Sequence, residues 1–263
     1  MVLLSFDIEE FDMPVEYKKQ IPFGEQMSIS IRGTRIILSL LEKHGIKATF
    51  FCTANFANHA NELVQEIALQ GHEIASHGYY HTGFEQSHLL DSRLALEQIS
   101  HTKVEGFRMP RMMPVDDAAL LNAGYTYNTS INPTYIPGRY NNLKSPRRYF
   151  QQNGVLQIPA SVSPTLRIPL FWLSFHNFPL PYFKFLCRRS YQKDGYLNLY
   201  FHPWEFTDIS DKQKFGFPGY ISRNSGNKMT LRLDNLISWM KTCNYSFGTF
   251  NQFIATTTHP SIT

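Results

Sequence analysis

The chain has 263 residues, of which 43% are hydrophobic, so it can bury the core of one large α/β domain. Its net charge of +4 is spread along the chain with no long Lys/Arg run, so no nucleic-acid partner is expected. Cysteines are few and far apart, at Cys52, Cys187 and Cys243, which excludes a disulfide framework.

The same sequence predicts a compartment. Sparse cysteines suit a reducing environment. The apolar run Val2-Leu3-Leu4 is too short for the core of a signal peptide, and no stretch approaches the length of a membrane span. We therefore expect a cytoplasmic protein with no transmembrane segment.

Strand-like and helix-like segments alternate along the chain. Apolar runs predict strands at residues 2–7, 46–52, 73–76, 104–108, 125–129, 155–158, 196–201 and 245–250. Amphipathic patterns predict helices at residues 29–43, 58–70, 85–100, 114–122 and 229–241. This alternation is typical of parallel strands joined by crossover helices, and the number of units predicts a closed or nearly closed barrel.

Residues 132–181, after the fifth strand, break the alternation and are rich in Pro, Tyr, Arg and Phe. We interpret residues 1–263 as a single domain in which this segment is an excursion over the barrel mouth. It would either shape access to a substrate or serve only as a packing insertion, and both interpretations stay open.

Two histidines four residues apart, His77 and His81, follow the third predicted strand. That spacing can place two imidazoles on one divalent metal. Asp7 and Glu9 end the first strand and project to the same face because side chains two apart in an extended segment do so. One carboxylate could bind the metal while the other acts as a base. The neighbouring charges of Glu10 and Asp12 are interpreted as solvated.

Arg108 and His202 follow two further strands. In a βα barrel, the C-terminal ends of the strands share the face that carries catalysis. An arginine there could pair with Asp7 and keep it ionised. The imidazole of His202 could donate a proton to a leaving group near neutral pH. Trp204 could form the wall of a sugar pocket or could simply pack in the core.

Several segments, in order, resemble the motifs of the polysaccharide deacetylase family, the NodB-homology domain of carbohydrate esterase family four. The resemblance covers most of the chain, and the ordered set is far more specific than any single motif. The segments are Ser-Phe-Asp7-Ile-Glu9-Glu, His77-x-x-x-His81, Gly-Phe-Arg108-Met-Pro110, Gly-Tyr-Thr-Tyr-Asn128 and Phe-His202-Pro-Trp204-Glu.

The resemblance implies a distorted (β/α) barrel of about seven units and a divalent metal, most often zinc. It also implies removal of N-acetyl groups from amino sugars. By this resemblance Asp7 is the base, His202 the acid and Arg108 the residue that orients Asp7. The metal ligands are His77 and His81, while Pro110, Asn128 and Trp204 support the site or contact the substrate.

Two positions depart from the common family pattern. The usual second aspartate of the first motif, a metal ligand, is replaced by Ile8. The sub-pattern Asp7-x-Glu9 is similar to relatives in which the acidic residue two positions further on takes the ligand role, so the resemblance implies Glu9 as the third ligand. The aspartate that usually supports the catalytic histidine is replaced by Asn128. An amide can orient an imidazole but cannot stabilise its charge, so a weaker acid is expected.

The sequence therefore predicts a metal-dependent deacetylase acting on a polymer, a lipid-linked or a nucleotide-linked acetamido sugar. Two alternatives stay open: an impaired or metal-free relative that binds carbohydrate, and an amidase acting on a non-sugar amide. The apolar run of residues 171–178 is a candidate for peripheral contact with a membrane or lipid carrier.

Overall fold

A curled, mostly parallel β-sheet organises the chain, and the computed structural model describes residues 1–258 of it. The strands in that range are β1 (Val2–Ile8), β2 (Thr49–Cys52), β3 (Glu73–Ser76), β4 (Gly106–Phe107), β5 (Tyr127–Asn128), β6 (Tyr135–Ile136), β7 (Tyr140–Asn141), β8 (Phe150–Gln152), β9 (Val155–Gln157), β10 (Leu197–Phe201) and β11 (Phe247–Gly248). The main sheet has the order β10-β1-β2-β3-β4-β5-β9-β8, and β11 pairs with the start of β1.

Neighbouring strands from β10 to β9 run parallel, and β8 joins the edge as the antiparallel arm of a hairpin. Beyond β9 the chain reaches back to β10, where the amide N–H of Ser161 donates to the carbonyl of Asn198 at 2.9 Å. Strands β6 and β7 form a separate small hairpin. The distorted (β/α) barrel of about seven units predicted from the sequence is confirmed.

Helices cover the outside of the sheet. Within the described residues they are α1 (Phe23–His44), α2 (Ala54–His59), α3 (Asn61–Leu69), α4 (His88–Ser100), α5 (Asp117–Asn122), α6 (Trp172–Asn177), α7 (Leu180–Asp194), α8 (Lys212–Phe215), α9 (Gly219–Ser222), α10 (Asn227–Thr242) and α11 (Phe250–Thr258). Short 3₁₀ turns lie at Met13–Tyr17, Pro110–Met112 and Pro203–Phe206. No helix in residues 1–258 has both the length and the hydropathy needed to cross a bilayer.

Helix α1 shows how the fold supports the barrel mouth. Its apolar stripe packs against the core, where Ile37 and Leu41 are fully buried, and the helix ends at Gly45, whose φ of 61° closes the last turn. At Gly33 a Cβ atom would lie 1.9 Å from the carbonyl oxygen of Pro203. Only glycine therefore lets α1 pack directly against the turn that follows β10.

Several predicted elements differ from the observed ones. The helix predicted at residues 58–70 is two helices, α2 and α3, separated at Ala60, whose φ and ψ of −140° and 42° are not helical. Helices α7 and α11 were not predicted. Prolines near residue 180 suggested irregular chain, but Pro181 lies in the first turn of α7, where a missing N–H costs nothing.

The excursion at residues 132–181 is partly regular, containing the β6–β7 and β8–β9 hairpins and α6. None of residues 171–178 is exposed, because this run packs against the sheet and neighbouring helices. Contact with a membrane through this run stays a prediction, with little free apolar surface to support it.

Candidate active site and metal centre

Glu9, His77 and His81 converge at the C-terminal ends of β1 and β3. The Oε2 atom of Glu9 lies 3.2 Å from Nε2 of His77 and 3.2 Å from Nε2 of His81. All three residues are buried, and this carboxylate oxygen has no hydrogen-bond partner. Ligands at zinc distances in a tetrahedral site lie about 3.3 Å apart, so the three atoms are spaced to hold one divalent ion.

Hydrogen bonds on the far side of each imidazole fix its orientation. Nδ1–H of His77 donates to the carbonyl of Arg108 at 2.8 Å, and Nδ1–H of His81 donates to Asp12 Oδ1 at 2.5 Å. With the proton on Nδ1, the lone pair of each Nε2 is directed at the shared site. Partners of this kind are typical of metal-bound histidines.

Burial opposes protonation of His81, but Glu9 and Asp12 outweigh it and raise the pKa of the imidazole to about 9. These two carboxylates therefore favour positive charge at this imidazole. A bound metal ion would compensate the same negative charge.

Asp7 lies in β1 and points into the same cavity as Glu9, whereas Ile8 between them is buried in the hydrophobic core. The alternation expected from the sequence is therefore observed. The guanidinium of Arg108 pairs with Asp7 Oδ1 and donates to Ser5 Oγ at 2.9 Å. It also lies over the ring of Phe51, 4.0 Å from the centroid.

The environment of Asp7 keeps it ionised. Burial opposes the charge, but Arg108, His77 and His202 together outweigh burial and lower the pKa of the carboxyl below its ordinary value. Since Arg108 binds Oδ1, the second oxygen faces the cavity, where Oδ2 lies 3.9 Å from Nε2 of His202.

His202 follows β10 and is clamped between aromatic rings. Trp204 stacks on it at 5.0 Å between centroids, and Trp172 meets it edge-on at 5.6 Å. Its Nδ1 lies 3.0 Å from Glu205 Oε1. Burial opposes protonation, but the hydrogen bond to Glu205 and the charges of Glu9, Glu205 and Asp7 raise the pKa of His202 above its ordinary value.

Comparison with known proteins bears on this arrangement. The family model for polysaccharide deacetylases matches residues 30–128. The resemblance to polysaccharide deacetylases is confirmed. The uncharacterized protein YlxY of Bacillus subtilis (strain 168) is 39% identical over 66 residues, which are 25% of this chain. The matched part spans only 20% of that relative's length.

Solved structures share the fold over nearly the whole chain. A putative polysaccharide deacetylase from Mycobacterium smegmatis has a TM-score of 0.67 at 18% identity, covering 97% of this chain and 88% of that one. A probable polysaccharide deacetylase from Pseudomonas aeruginosa PAO1 has a TM-score of 0.69 at 14% identity, covering 99% and 91%. An allantoinase, PuuE, reaches 0.66 at 14% identity, covering 98% and 91%. Structures named as polysaccharide deacetylases and as an allantoinase therefore share this fold, and the fold does not distinguish between them.

Asn128 was expected to contact His202, but the structure gives it other partners. Asn128 does not contact His202. Its amide donates to Gln157 Oε1 at 3.0 Å and its oxygen accepts from Ser130. The expectation that Asn128 orients His202 is wrong, because both ends of this amide are engaged by Gln157 and Ser130. Glu205, three residues after His202, makes that contact instead.

The interpretation of Glu10 and Asp12 as solvated charges is also wrong. Glu10 is buried, accepting from Thr53 Oγ1 at 2.8 Å and from the backbone N–H of His81 at 3.1 Å. Asp12 binds the ring of His81. No local signal marks these contacts, since the partners are about 40 to 70 residues away in sequence. Both carboxylates hold the loop that carries the second histidine.

A cavity of about 220 Å³ is lined by the residues proposed from the sequence for metal binding and catalysis, Asp7, Glu9, His77, His81 and His202. The excursion contributes part of its wall, including Asn132 and Tyr140, and α6 contributes Trp172. Trp204 is 1% exposed and supports the ring of His202 from behind, so it offers little surface to a sugar. Pro110 is buried against the loop that contains Gly78, and a Cβ atom added to Gly78 would lie 3.6 Å from Cδ of Pro110.

Proposed function

We propose that the protein is a metal-dependent hydrolase that removes the N-acetyl group from an amino sugar. The observation that carries the proposal is the unpartnered Oε2 of Glu9, held 3.2 Å from two imidazole Nε2 atoms beside a carboxylate and a third histidine. Few buried carboxylate oxygens lack a partner, and a cation is the partner that this donor set fits.

Glu9, His77 and His81 would hold the metal, and the two nitrogens and one oxygen of this set suit zinc. A divalent metal bound there supplies Lewis acidity, polarising a carbonyl group and making a water molecule more acidic.

Asp7 is proposed as the general base. Its lowered pKa keeps it ionised at neutral pH, and Arg108 fixes one oxygen so that the other faces the cavity. A water molecule attacking an acetamide carbonyl must lose a proton, and Asp7 Oδ2 is the acceptor available beside the site.

His202 is proposed as the general acid, with Arg108 acting only through Asp7. An amine leaves an amide with difficulty unless its nitrogen is protonated. Nδ1–H of His202 is directed at Glu205, so Nε2 is the atom that can carry a proton into the cavity. The raised pKa of this imidazole increases its protonated fraction relative to an ordinary histidine.

Substrate size follows from the cavity. About 220 Å³ is below the roughly 300–1,000 Å³ of pockets for drug-sized ligands. It suits an acetamido group with one sugar ring, with the rest of a polymer, lipid-linked or nucleotide-linked substrate outside. The cytoplasm remains the proposed location.

The two departures that suggested an impaired relative are compensated by neighbouring residues. Glu9 stands beside the histidines although Ile8 is apolar, and Glu205 contacts His202 although residue 128 is an amide. These contacts favour an active enzyme over a carbohydrate-binding module.

The test is release of acetate from acetamido sugars presented free, as oligosaccharides and as nucleotide-linked sugars. We expect activity to be lost on chelation, restored by zinc and absent in His77→Ala. His59→Ala, which changes an exposed histidine on α2, is the matched control. Non-sugar amides, including allantoin, complete the panel. Hydrolysis of only those amides, or a wild-type protein that binds no divalent metal, would contradict the proposal.

A further inference from the structure

A second, fully buried polar group adjoins the site. Glu205 and His176 both have 0% exposure. Glu205 Oε2 accepts from Nε2–H of His176 at 2.9 Å, and Oε1 accepts from the backbone N–H of His202 at 2.6 Å and from its Nδ1–H at 3.0 Å. Three donors therefore converge on one carboxylate with no access to solvent.

The local sequence explains how the carboxylate turns back. Pro203 begins a 3₁₀ turn directly after β10, and Glu205 is the third residue of that turn. Its side chain caps the backbone N–H of His202 in the manner of a capping box. The ring and the backbone of His202 are thus tied to the same oxygen, which leaves the imidazole little freedom to rotate.

His176 fixes the other end of the carboxylate. It lies on α6, and its Nδ1 is buried without a hydrogen-bond partner. The tautomer with its proton on Nε2 fits these contacts. Its Nε2–H donates to Glu205, and its Nδ1 carries no proton, so no buried N–H lacks an acceptor. His176 therefore acts as a fixed donor that holds Oε2 and keeps Oε1 aimed at His202.

We propose that Glu205, held by His176, is the positioning residue for the general acid His202. The proposal rests on the proposed hydrolase function. Glu205 fixes the tautomer with the proton on Nδ1, which directs Nε2 into the cavity, and its charge stabilises the imidazolium. The carboxylate that supports the acid thus comes from the turn after β10 rather than from the end of β5. Burying an unpaired carboxylate would be costly, and the two imidazoles offset that cost. Accordingly, His176 and His202 outweigh burial and lower the pKa of Glu205.

The first experiment compares two leaving groups. Glu205→Gln keeps an oxygen near Nδ1–H but removes the charge. General acids contribute about 10²–10⁴-fold, so we expect kcat for an acetamido sugar to fall roughly 10–100-fold with little change in KM. Hydrolysis of 4-nitrophenyl acetate should fall less than threefold, because its phenolate leaves without a proton. A merely structural role would lower both rates equally, and that result would overturn the proposal.

Variants of His176 provide a matched pair. Gln can place its amide N–H where Nε2–H lies, whereas Leu cannot, so we expect His176→Gln to keep most of the activity that His176→Leu loses. His202→Ala should lose the same amide activity as Glu205→Gln/His202→Ala, because the carboxylate acts only through the imidazole. A further loss in the double variant would count against this mechanism.

The second experiment needs no substrate and therefore separates failure of this inference from failure of the proposed function. In zinc-loaded protein labelled with ¹⁵N-histidine, the His202 signals are assigned by their loss in His202→Ala. We expect a protonated, hydrogen-bonded Nδ1 whose proton shift moves upfield in Glu205→Gln. A His202 ring protonated only on Nε2, or unchanged by the substitution, would refute the proposal. Absence of acetate release by the wild type would instead refute the hydrolase.

Discussion

Replacing Glu9 by Gln should remove the metal site while leaving its shape nearly intact. The substitution is isosteric, but it replaces the anionic oxygen that lies 3.2 Å from both imidazole Nε2 atoms by a neutral amide. One of three protein ligands and its charge are lost together. We expect zinc affinity to fall more than 100-fold.

Asp12→Asn gives the intermediate step of the same series. Asp12 does not belong to the ligand triad but accepts the Nδ1–H of His81 at 2.5 Å. Substituting such an outer partner costs about 10–100-fold in metal affinity. The corresponding loss of binding free energy is about 1.4–2.7 kcal/mol. Asp91→Asn, an exposed carboxylate on α4, is the matched control and should bind zinc as the wild type does.

The assay is competition for zinc against a chromogenic chelator, with each variant first checked for its unfolding midpoint. The expected order of affinity is wild type and Asp91→Asn, then Asp12→Asn, then Glu9→Gln. Wild-type affinity in Glu9→Gln would refute the assignment of the third ligand. An Asp12→Asn variant as weak as Glu9→Gln would contradict the interpretation of Asp12 as an outer partner that acts through His81.

Three further predictions concern stability. Arg108→Met leaves the buried Asp7 without its partner and should cost about 3–5 kcal/mol in urea unfolding at pH 7, with Arg108→Lys losing less; equal stability of both variants to the wild type would contradict the pairing. His72 accepts from the backbone N–H of Ala48, and burial lowers its pKa from 6.5 to about 4. The contribution of His72 to the free energy of unfolding is therefore complete above pH 6.5 and is lost as the pH falls towards 4, by about 3 kcal/mol in all. His72→Asn keeps a hydrogen-bond acceptor but does not titrate, so the free energy of unfolding of this variant should depend less on pH in that range. Gly33→Ala forces apart α1 and the turn after β10, so we expect the free energy of unfolding to fall by about 1–3 kcal/mol. Acetate release should fall in the same variant.

Alternation of apolar runs and amphipathic segments is a local property, and it was enough to predict the sheet and the strand ends that carry the site. The third strand was predicted with the observed bounds, Glu73–Ser76, because Gly71 and His77 mark its limits. Helix α7 was missed because paired arginines interrupt its apolar positions, and because part of its packing is against α10, which begins more than 30 residues further along the chain. Local pattern cannot supply that information.

The departure at Ile8 illustrates how far the sequence could predict the site. Ile8 is the last residue of β1, and its side chain enters the core because neighbouring side chains of a strand alternate. Position 9 returns to the face of Asp7 one residue further from the strand, and the longer side chain of Glu reaches back over that distance. The alternation therefore predicts that Glu9 and Asp7 share a face, whereas the choice of Glu9 as the metal ligand depends on the resemblance to polysaccharide deacetylases.

The support of the acid could not be derived in the same way. The sequence shows an amide at position 128 and a glutamate three residues after His202, and both are compatible with a hydrogen bond to the ring. Which one binds depends on the 3₁₀ turn after β10 and on the burial of His176, which lies 29 residues upstream of Glu205. Since Glu205 supplies a charge that Asn128 lacks, the reason for expecting an impaired acid no longer applies: Glu205 helps to raise the pKa of His202 above its ordinary value despite burial.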